Sequence, residues 1–107
     1  RRARMRETAE YIRTHCAEPL TLSQMAEKAG FSSYYFSRTF HEVMGRTPTE
    51  WLLECRLVVA KQLLASTGWT IKRVAEQSGF SQSSYFIARF RENTGLTPQD
   101  YRSKYHL

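Results

Sequence analysis

A stretch of sequence that occurs twice decides the fold of this chain. Residues 21–51 read TLSQMAEKAGFSSYYFSRTFHEVMGRTPTEW, and residues 70–101 read TIKRVAEQSGFSQSSYFIARFRENTGLTPQDY. Both copies contain Ala-Glu, Gly-Phe-Ser, Tyr-Phe, a second Phe four residues after the first, then Gly and Thr-Pro. The offset between the copies rises from 49 to 50 residues near Gln82, where one residue has been inserted. A repeat of this length predicts two copies of one small structural unit.

The first copy predicts two helices joined by a tight turn. Thr21 and Gln24 have the spacing of a capping box, and Gly30 has the freedom to end the helix in a left-handed conformation. Phe31 then folds back onto the helix that it follows, and Ser32 caps a second helix that ends at Gly45. The inward positions of the two helices are Leu22, Met25, Ala26 and Ala29, then Tyr35, Phe36, Phe40 and Val43.

The second copy predicts the same plan with a weaker start. Thr70 again precedes a helix, but Arg73 stands where the capping box needs Gln or Glu. Gly79 ends this helix, and we expect Ser81 to cap the next one. The inward positions are Ile71, Val74 and Ala75, then Tyr85, Phe86 and Phe90.

Three further helices complete the predicted fold. Each Thr-Pro begins a helix, with proline at the first helical position, and the first of these runs from Pro48 to about Ala65. Its inward positions are Trp51, Leu52, Cys55, Val59 and Leu63. A leading helix ends before Pro19, and a short helix begins at Pro98. No segment alternates like a strand. We therefore predict an all-α fold of seven helices.

The repeat also predicts the domain organisation. Two helix-turn-helix subdomains, residues 1–48 and residues 67–107, are joined by a long connecting helix over residues 49–66.

Composition limits the class of function. The net charge of +6 and the pI near 9.7 favour an anionic partner, with nucleic acid ahead of an acidic lipid or protein. No apolar run is long enough to span a membrane, and no signal peptide follows the basic start, so we expect an intracellular protein with reduced, buried thiols at Cys16 and Cys55. The spacing of the histidines and cysteines predicts no metal site, and no nucleophile motif or glycine-rich phosphate loop indicates an enzyme or a cofactor.

A short helix, a glycine turn and a second helix form the helix-turn-helix signature, in which the second helix enters the DNA major groove. With the phenylalanines turned inward, the outward face of the second helix in copy one consists of Ser33, Tyr34, Ser37 and Arg38. In copy two this face consists of Gln82, Ser83, Ser84, Ile87, Ala88 and Arg89. Arginine pairs with guanine, glutamine with adenine, and apolar side chains with the thymine methyl group. These residues are the candidate DNA-binding residues.

The sequence also resembles the DNA-binding domain of the AraC/XylS family of bacterial transcription regulators. The resemblance covers nearly the whole chain and rests on Arg56-Leu57, Ala60, Leu63-Leu64, Ile71, Ala75, Gly79-Phe80-Ser81, Tyr85-Phe86, Phe90, Gly95, Thr97-Pro98 and Tyr101-Arg102. It implies seven helices in two subdomains, a promoter-binding function, and base contacts from the third and sixth helices. The family commonly has Arg two residues before the last Phe of its motif, where this chain has Ala88 followed by Arg89. We therefore expect Arg89 to contact phosphate.

The resemblance implies further partners and a place in the cell. We expect promoter DNA and RNA polymerase as partners, a bacterial cytoplasmic, nucleoid-associated location, and a small-molecule effector only through a domain outside this chain. Because the sequence begins at Arg1 rather than Met, we expect it to be part of a longer protein. Family members also include single-domain activators, and the residues do not choose between activation and repression.

Alternatives stay open at several points. A protein-interaction module of helical hairpins explains the repeat but not the positive charge. Tyr34 either contacts DNA or lies across its helix, and Arg56 is more readily structural than a DNA contact. The arginines within residues 1–6 either contact phosphate or belong to a linker. The two helices either bend the DNA or only one of them contacts bases.

Overall fold

The computed structural model describes all 107 residues and contains seven α-helices and no strand, as predicted. The helices are α1 (Arg2–Thr14), α2 (Leu22–Ala29), α3 (Ser33–Met44), α4 (Pro48–Ser66), α5 (Ile71–Gln77), α6 (Ser83–Thr94) and α7 (Pro98–Tyr105). No helix is long and apolar enough to cross a membrane.

The helices form two compact units, residues 1–55 and residues 56–107. The boundary lies inside α4, which therefore contributes its first half to one unit and its second half to the other. Each unit contains one of the two repeated helix pairs, α2–α3 or α5–α6.

The helix ends of the first unit follow the predicted capping chemistry. Thr21 and Gln24 form a complete capping box, with backbone N–H to side-chain oxygen distances of 2.9 and 3.1 Å. Gly30 adopts a φ of 83°, and the N–H of Phe31 donates to the carbonyl of Ala26, which closes the turn as expected. Thr47 forms the second capping box with Glu50, so the start of α4 is fixed in the same way.

The second unit departs from the predicted caps at one position. Thr70 caps α5 by accepting from the N–H of Arg73, without the reciprocal bond of a full box, as expected. Ser81 does not cap α6: the N-cap is Gln82, whose side chain makes no capping hydrogen bond. The inserted residue explains the error, because at an offset of 50 the residue equivalent to the capping Ser32 is Gln82.

Aromatic side chains fill the interior of the first unit. Phe36 and Phe40 are fully buried one turn apart, with ring centroids 5.4 Å from each other. Trp51 packs edge-on against Phe40, and its indole N–H donates to the carbonyl of Ala9 at 3.0 Å, which joins the start of α4 to α1. The other buried apolar side chains of α1, α2 and the first half of α4 are Met5, Ala9, Ile12, Met25, Ala26, Ala29, Leu52 and Cys55.

The second unit repeats this packing with its own aromatic cluster. Phe86 and Phe90 are fully buried, and Phe80 lies 4.9 Å from Phe86. Tyr101 of α7 packs edge-on against Phe90, and the Arg102 guanidinium donates from Nε to the carbonyl of Leu64 at 3.3 Å. These contacts join α7 to α6 and to the second half of α4.

Two tyrosines predicted to lie in the core are exposed instead. Tyr35 is 37% exposed and Tyr85 is 52% exposed. Each directly precedes a buried phenylalanine, Phe36 or Phe86, and therefore lies about 100° around the helix axis from it. The Tyr35 hydroxyl accepts a hydrogen bond from Arg1 at 3.2 Å, whereas a buried phenol would need a partner inside the core.

The buried face of α4 also differs from the single predicted stripe. Val59 and Leu63 are only half-buried, while Leu57, Ala60 and Leu64 are buried. Each half of the helix buries its own set of side chains in the unit to which it belongs, so one continuous stripe does not describe it.

The two cysteines are free and buried, as predicted. Burial raises the pKa of the Cys55 thiol to about 11, so this side chain stays protonated at neutral pH.

We predict that Phe86→Ala removes about 3–5 kcal/mol from the free energy of unfolding, because the fully buried ring leaves a cavity. Val58→Ala is the control, since this aliphatic side chain is half exposed and its truncation costs at most about 0.5 kcal/mol. Chemical denaturation followed by circular dichroism measures both. An unchanged midpoint for Phe86→Ala would contradict its place in the core.

We predict that Gly45→Ala destabilises the chain by about 1 kcal/mol through backbone strain alone. Gly45 has a φ of 76°, and a methyl group there would meet no atom within 4 Å, so no clash contributes. Gly68 is the matched control because it also has open space but lacks the left-handed φ. The same denaturation experiment should show no loss for Gly68→Ala. Equal losses at both positions would exclude strain as the cause.

Candidate nucleic-acid interface

The buried phenylalanines determine which residues of α3 face outward. A residue two positions before Phe40 lies about 160° around the helix from it, on the side opposite the core. Arg38 occupies that position, and its side chain is 68% exposed. Tyr34, one turn earlier, is 76% exposed, while Ser33 and Ser37 are half-buried at the edges of the face. All four predicted residues of this helix therefore lie on one accessible face.

Arg38 is held on this face by two neighbours on its own helix. Its Nε approaches the Glu42 carboxylate at 3.6 Å, and its Nη1 lies 3.5 Å from the Tyr34 hydroxyl. Both separations are at or beyond the limit of a hydrogen bond, so the contacts orient the guanidinium weakly. Its side chain is mostly exposed, and a guanidinium is the group that makes a bidentate contact to guanine.

The corresponding face of α6 has a different chemistry. Ala88 occupies the position opposite the core, two residues before Phe90, and it is exposed. Ile87 beside it is 38% exposed. Gln82 and Ser84 are exposed toward the start of the helix, and Ser83 is half-buried. The face therefore has polar groups at its beginning and an apolar centre.

Arg89 lies to one side of this face. Because it directly precedes Phe90, it is rotated about 100° from the core position, and its side chain is only 33% exposed. Its Nη2 pairs with Glu92 at 2.7 Å, and the guanidinium carbon lies 5.4 Å from the centre of the Tyr85 ring. Its Nε is buried without a hydrogen-bond partner. The fork of Arg89 is therefore partly occupied within the protein.

The outward face of α6 borders an open depression with a volume of about 690 Å³. Ser84, Ile87 and Ala88 line it, together with the charged residues Arg89, Arg91 and Glu92 and with Thr97. Arg91 is exposed, forms no ion pair, and follows Ile87 and Ala88 by one turn on the same side of the helix. Arg91 and Thr97 lie outside the predicted set of DNA-binding residues.

The two acidic partners of the arginines were also missed. Glu42 follows Arg38 by four residues and Glu92 follows Arg89 by three, which are the spacings at which helical side chains meet. The signal was therefore present in the sequence. No group of three or more histidine, cysteine or acidic side chains is placed to hold a metal ion.

Comparison with known sequences identifies the repeated helix pairs. Residues 25–104 match the family model described as a helix-turn-helix domain. The regulatory protein PocR of Salmonella typhimurium is 36% identical over 102 residues, which are 95% of this chain and 34% of PocR. The chain therefore spans about a third of the length of this relative.

Two solved structures of transcription regulators are also similar to this chain. The DNA-binding domain of AdpA, a global transcriptional factor solved in complex with a target DNA, matches with a TM-score of 0.90 and 28% identity, over 94% of this chain and 91% of that one. A probable AraC family transcriptional regulator from Rhodopseudomonas palustris matches with a TM-score of 0.87 and 25% identity, over 98% of this chain and 99% of that one. The chain belongs to the AraC-type family of helix-turn-helix domains.

Proposed function

We propose that this chain binds double-stranded DNA sequence-specifically through α3 and α6, which enter successive major grooves, and that it regulates transcription from bacterial promoters. One observation supports this above all others. Both helix pairs bury their phenylalanines and leave the opposite face of the second helix accessible, with groups that recognise base edges. The net charge of +6 supports binding to the phosphate backbone. The similarity to AdpA, whose DNA-binding domain was solved with a target DNA, supports the proposal further.

In this proposal α3 recognises guanine. Arg38, whose side chain is mostly exposed, donates from its guanidinium to O6 and N7 of the base. Tyr34 packs against a neighbouring base or sugar. Ser33 and Ser37 donate or accept at the edges of the contact.

The polar residues of α6 divide between bases and backbone. The side chain of Gln82 makes no capping hydrogen bond to α6, so its amide is available to adenine, and Ser83 and Ser84 contact bases or phosphates beside it. Arg89, whose guanidinium pairs with Glu92 and lies near the Tyr85 ring, contacts phosphate rather than a base. Ile87 and Ala88 complete the candidate set at the centre of the face.

The proposal also covers the setting in which the chain acts. We propose RNA polymerase as a protein partner at the promoter, activation as the direction of regulation, and a non-enzymatic role in the bacterial cytoplasm at the nucleoid. Any small-molecule effector acts through a domain outside this chain. Regulation is also what the name of PocR states for that relative.

Selection from random duplex DNA tests the proposed function directly. The 107-residue chain is incubated with the pool at two salt concentrations, and the bound fraction is sequenced. Two enriched boxes about 10 base pairs apart are expected, with weaker binding at the higher salt because phosphate contacts release counterions. One enriched box would mean that a single helix contacts bases. No enrichment and no salt dependence would contradict DNA binding and favour a protein-interaction module.

We predict that Arg38→Ala weakens binding to the enriched duplex by about 1–3 kcal/mol and relaxes the preference at one guanine. Arg13→Ala is the matched control, because Arg13 is also exposed and also paired with an acid on its own helix, Glu10. Titration of labelled duplex measures both affinities, and circular dichroism confirms that both variants fold. Equal, small losses for the two variants would contradict a base contact by Arg38.

A further inference from the structure

The centre of the α6 face is apolar although it lies on the surface. Ile87 is 38% exposed and Ala88 is exposed beside it, and both line the depression of about 690 Å³. The equivalent centre of α3 carries Arg38 instead. A single exposed aliphatic side chain is ordinary, but this one occupies the base-contacting position of a helix whose neighbouring arginine is turned away.

The arrangement of Arg89 removes the alternative of guanine recognition. A bidentate contact would require Arg89 to leave Glu92, at 2.7 Å, and the Tyr85 ring. Its position on the helix is also about 100° around the axis from that of Ala88, at the centre of the face. The Arg89–Glu92 ion pair is short, so Arg89 presents no free guanidinium fork beside Ile87. The unpaired arginine of this face, Arg91, lies one turn further along the helix.

The major groove offers one apolar group on unmodified base pairs, the C5-methyl group of thymine. A methyl group placed between Ile87 and Ala88 would lose its contact with water and so contribute to binding. Ile87 and Ala88 have no side-chain donor or acceptor, so these two side chains form no hydrogen bond with a polar base edge. The chemistry of the surface therefore favours a methylated pyrimidine over an unmethylated one.

We propose that α6 selects the C5-methyl group of a pyrimidine, thymine in unmodified DNA, through contact with Ile87 and Ala88. This inference rests on the proposed function and adds a specific ligand group to it. The two helices of the chain then use different chemistries: Arg38 of α3 recognises the polar edge of guanine, and α6 recognises a methyl group.

Arg91 and Thr97 have a separate role in this arrangement. Base contacts come from the first turns of a recognition helix, and residues further along reach the backbone. Arg91 follows Ile87 by one turn and is unpaired, so it contacts a phosphate beside the recognised base. Thr97 lines the same edge of the depression.

Replacement of single thymines by deoxyuridine in the enriched duplex tests the proposal, because only the methyl group is removed. One substitution should weaken binding about fourfold, the factor expected for burial of one methyl group. The other thymines in the duplex are internal controls. If no deoxyuridine substitution weakens binding while the duplex stays enriched and salt-dependent, the methyl contact is wrong and the proposed DNA binding stands. The absence of any enriched duplex overturns both.

Variants of the chain assign the contact to its residues. Ile87→Ala should bind the thymine and deoxyuridine duplexes with the same affinity. Val58→Ala is the matched control, since it also shortens an exposed aliphatic side chain but lies on α4, and it should keep the fourfold difference. Arg91→Ala should weaken both duplexes equally and reduce the salt slope by about one. A fourfold difference that survives in Ile87→Ala would overturn the assignment.

A second substitution tests the methyl group without thymine. In a duplex that carries cytosine at the sensitive position, methylation of C5 should raise the affinity of the unaltered chain about fourfold. The affinity of Ile87→Ala should not change on methylation. If methylation has no effect, the preference depends on another atom of thymine, and the proposal fails.

Discussion

The burial of two phenylalanines one turn apart on each recognition helix is the constraint on which the rest of the structure depends. Phe36 and Phe40 in α3, and Phe86 and Phe90 in α6, are fully buried. Two large rings on one side of a helix fix its rotation about its own axis, because any other rotation would expose them to water. The outward face is then determined as well. In this domain, packing and recognition are therefore two sides of the same helix.

Much of the architecture was predictable because local signals agreed with one another. Thr21, Gln24 and Gly30 specify the two ends of α2 by side-chain hydrogen bonds and a left-handed φ, which depend on neighbouring residues alone. The second copy of the repeat independently predicts the same pair of helices. Where a signal depends on register, the prediction is wrong: the spacing indicates Ser81 as the cap of α6, but the inserted residue moves Gln82 into that position.

The outward positions of the candidate site were predictable from helical periodicity, but the distances within the two arginine ion pairs were not. Tyr35 and Tyr85 were placed inside because aromatic residues usually pack, whereas their hydroxyl groups and their positions beside the buried rings leave them at the surface. The different environments of Arg38 and Arg89 follow from side-chain geometry. A spacing of three or four residues allows an ion pair without stating its distance, and here the distances are 2.7 Å for Arg89 and 3.6 Å for Arg38.

A displacement of one residue along a helix changes the chemistry of the whole face. Arg38 stands two positions before the last buried Phe and points away from the core, whereas Arg89 stands one position before it and lies beside Tyr85. The rotation of about 100° per residue converts an arginine available to a base into one held by the protein. The two copies of the repeat thus share the buried phenylalanine pair, while their outward faces differ in chemistry.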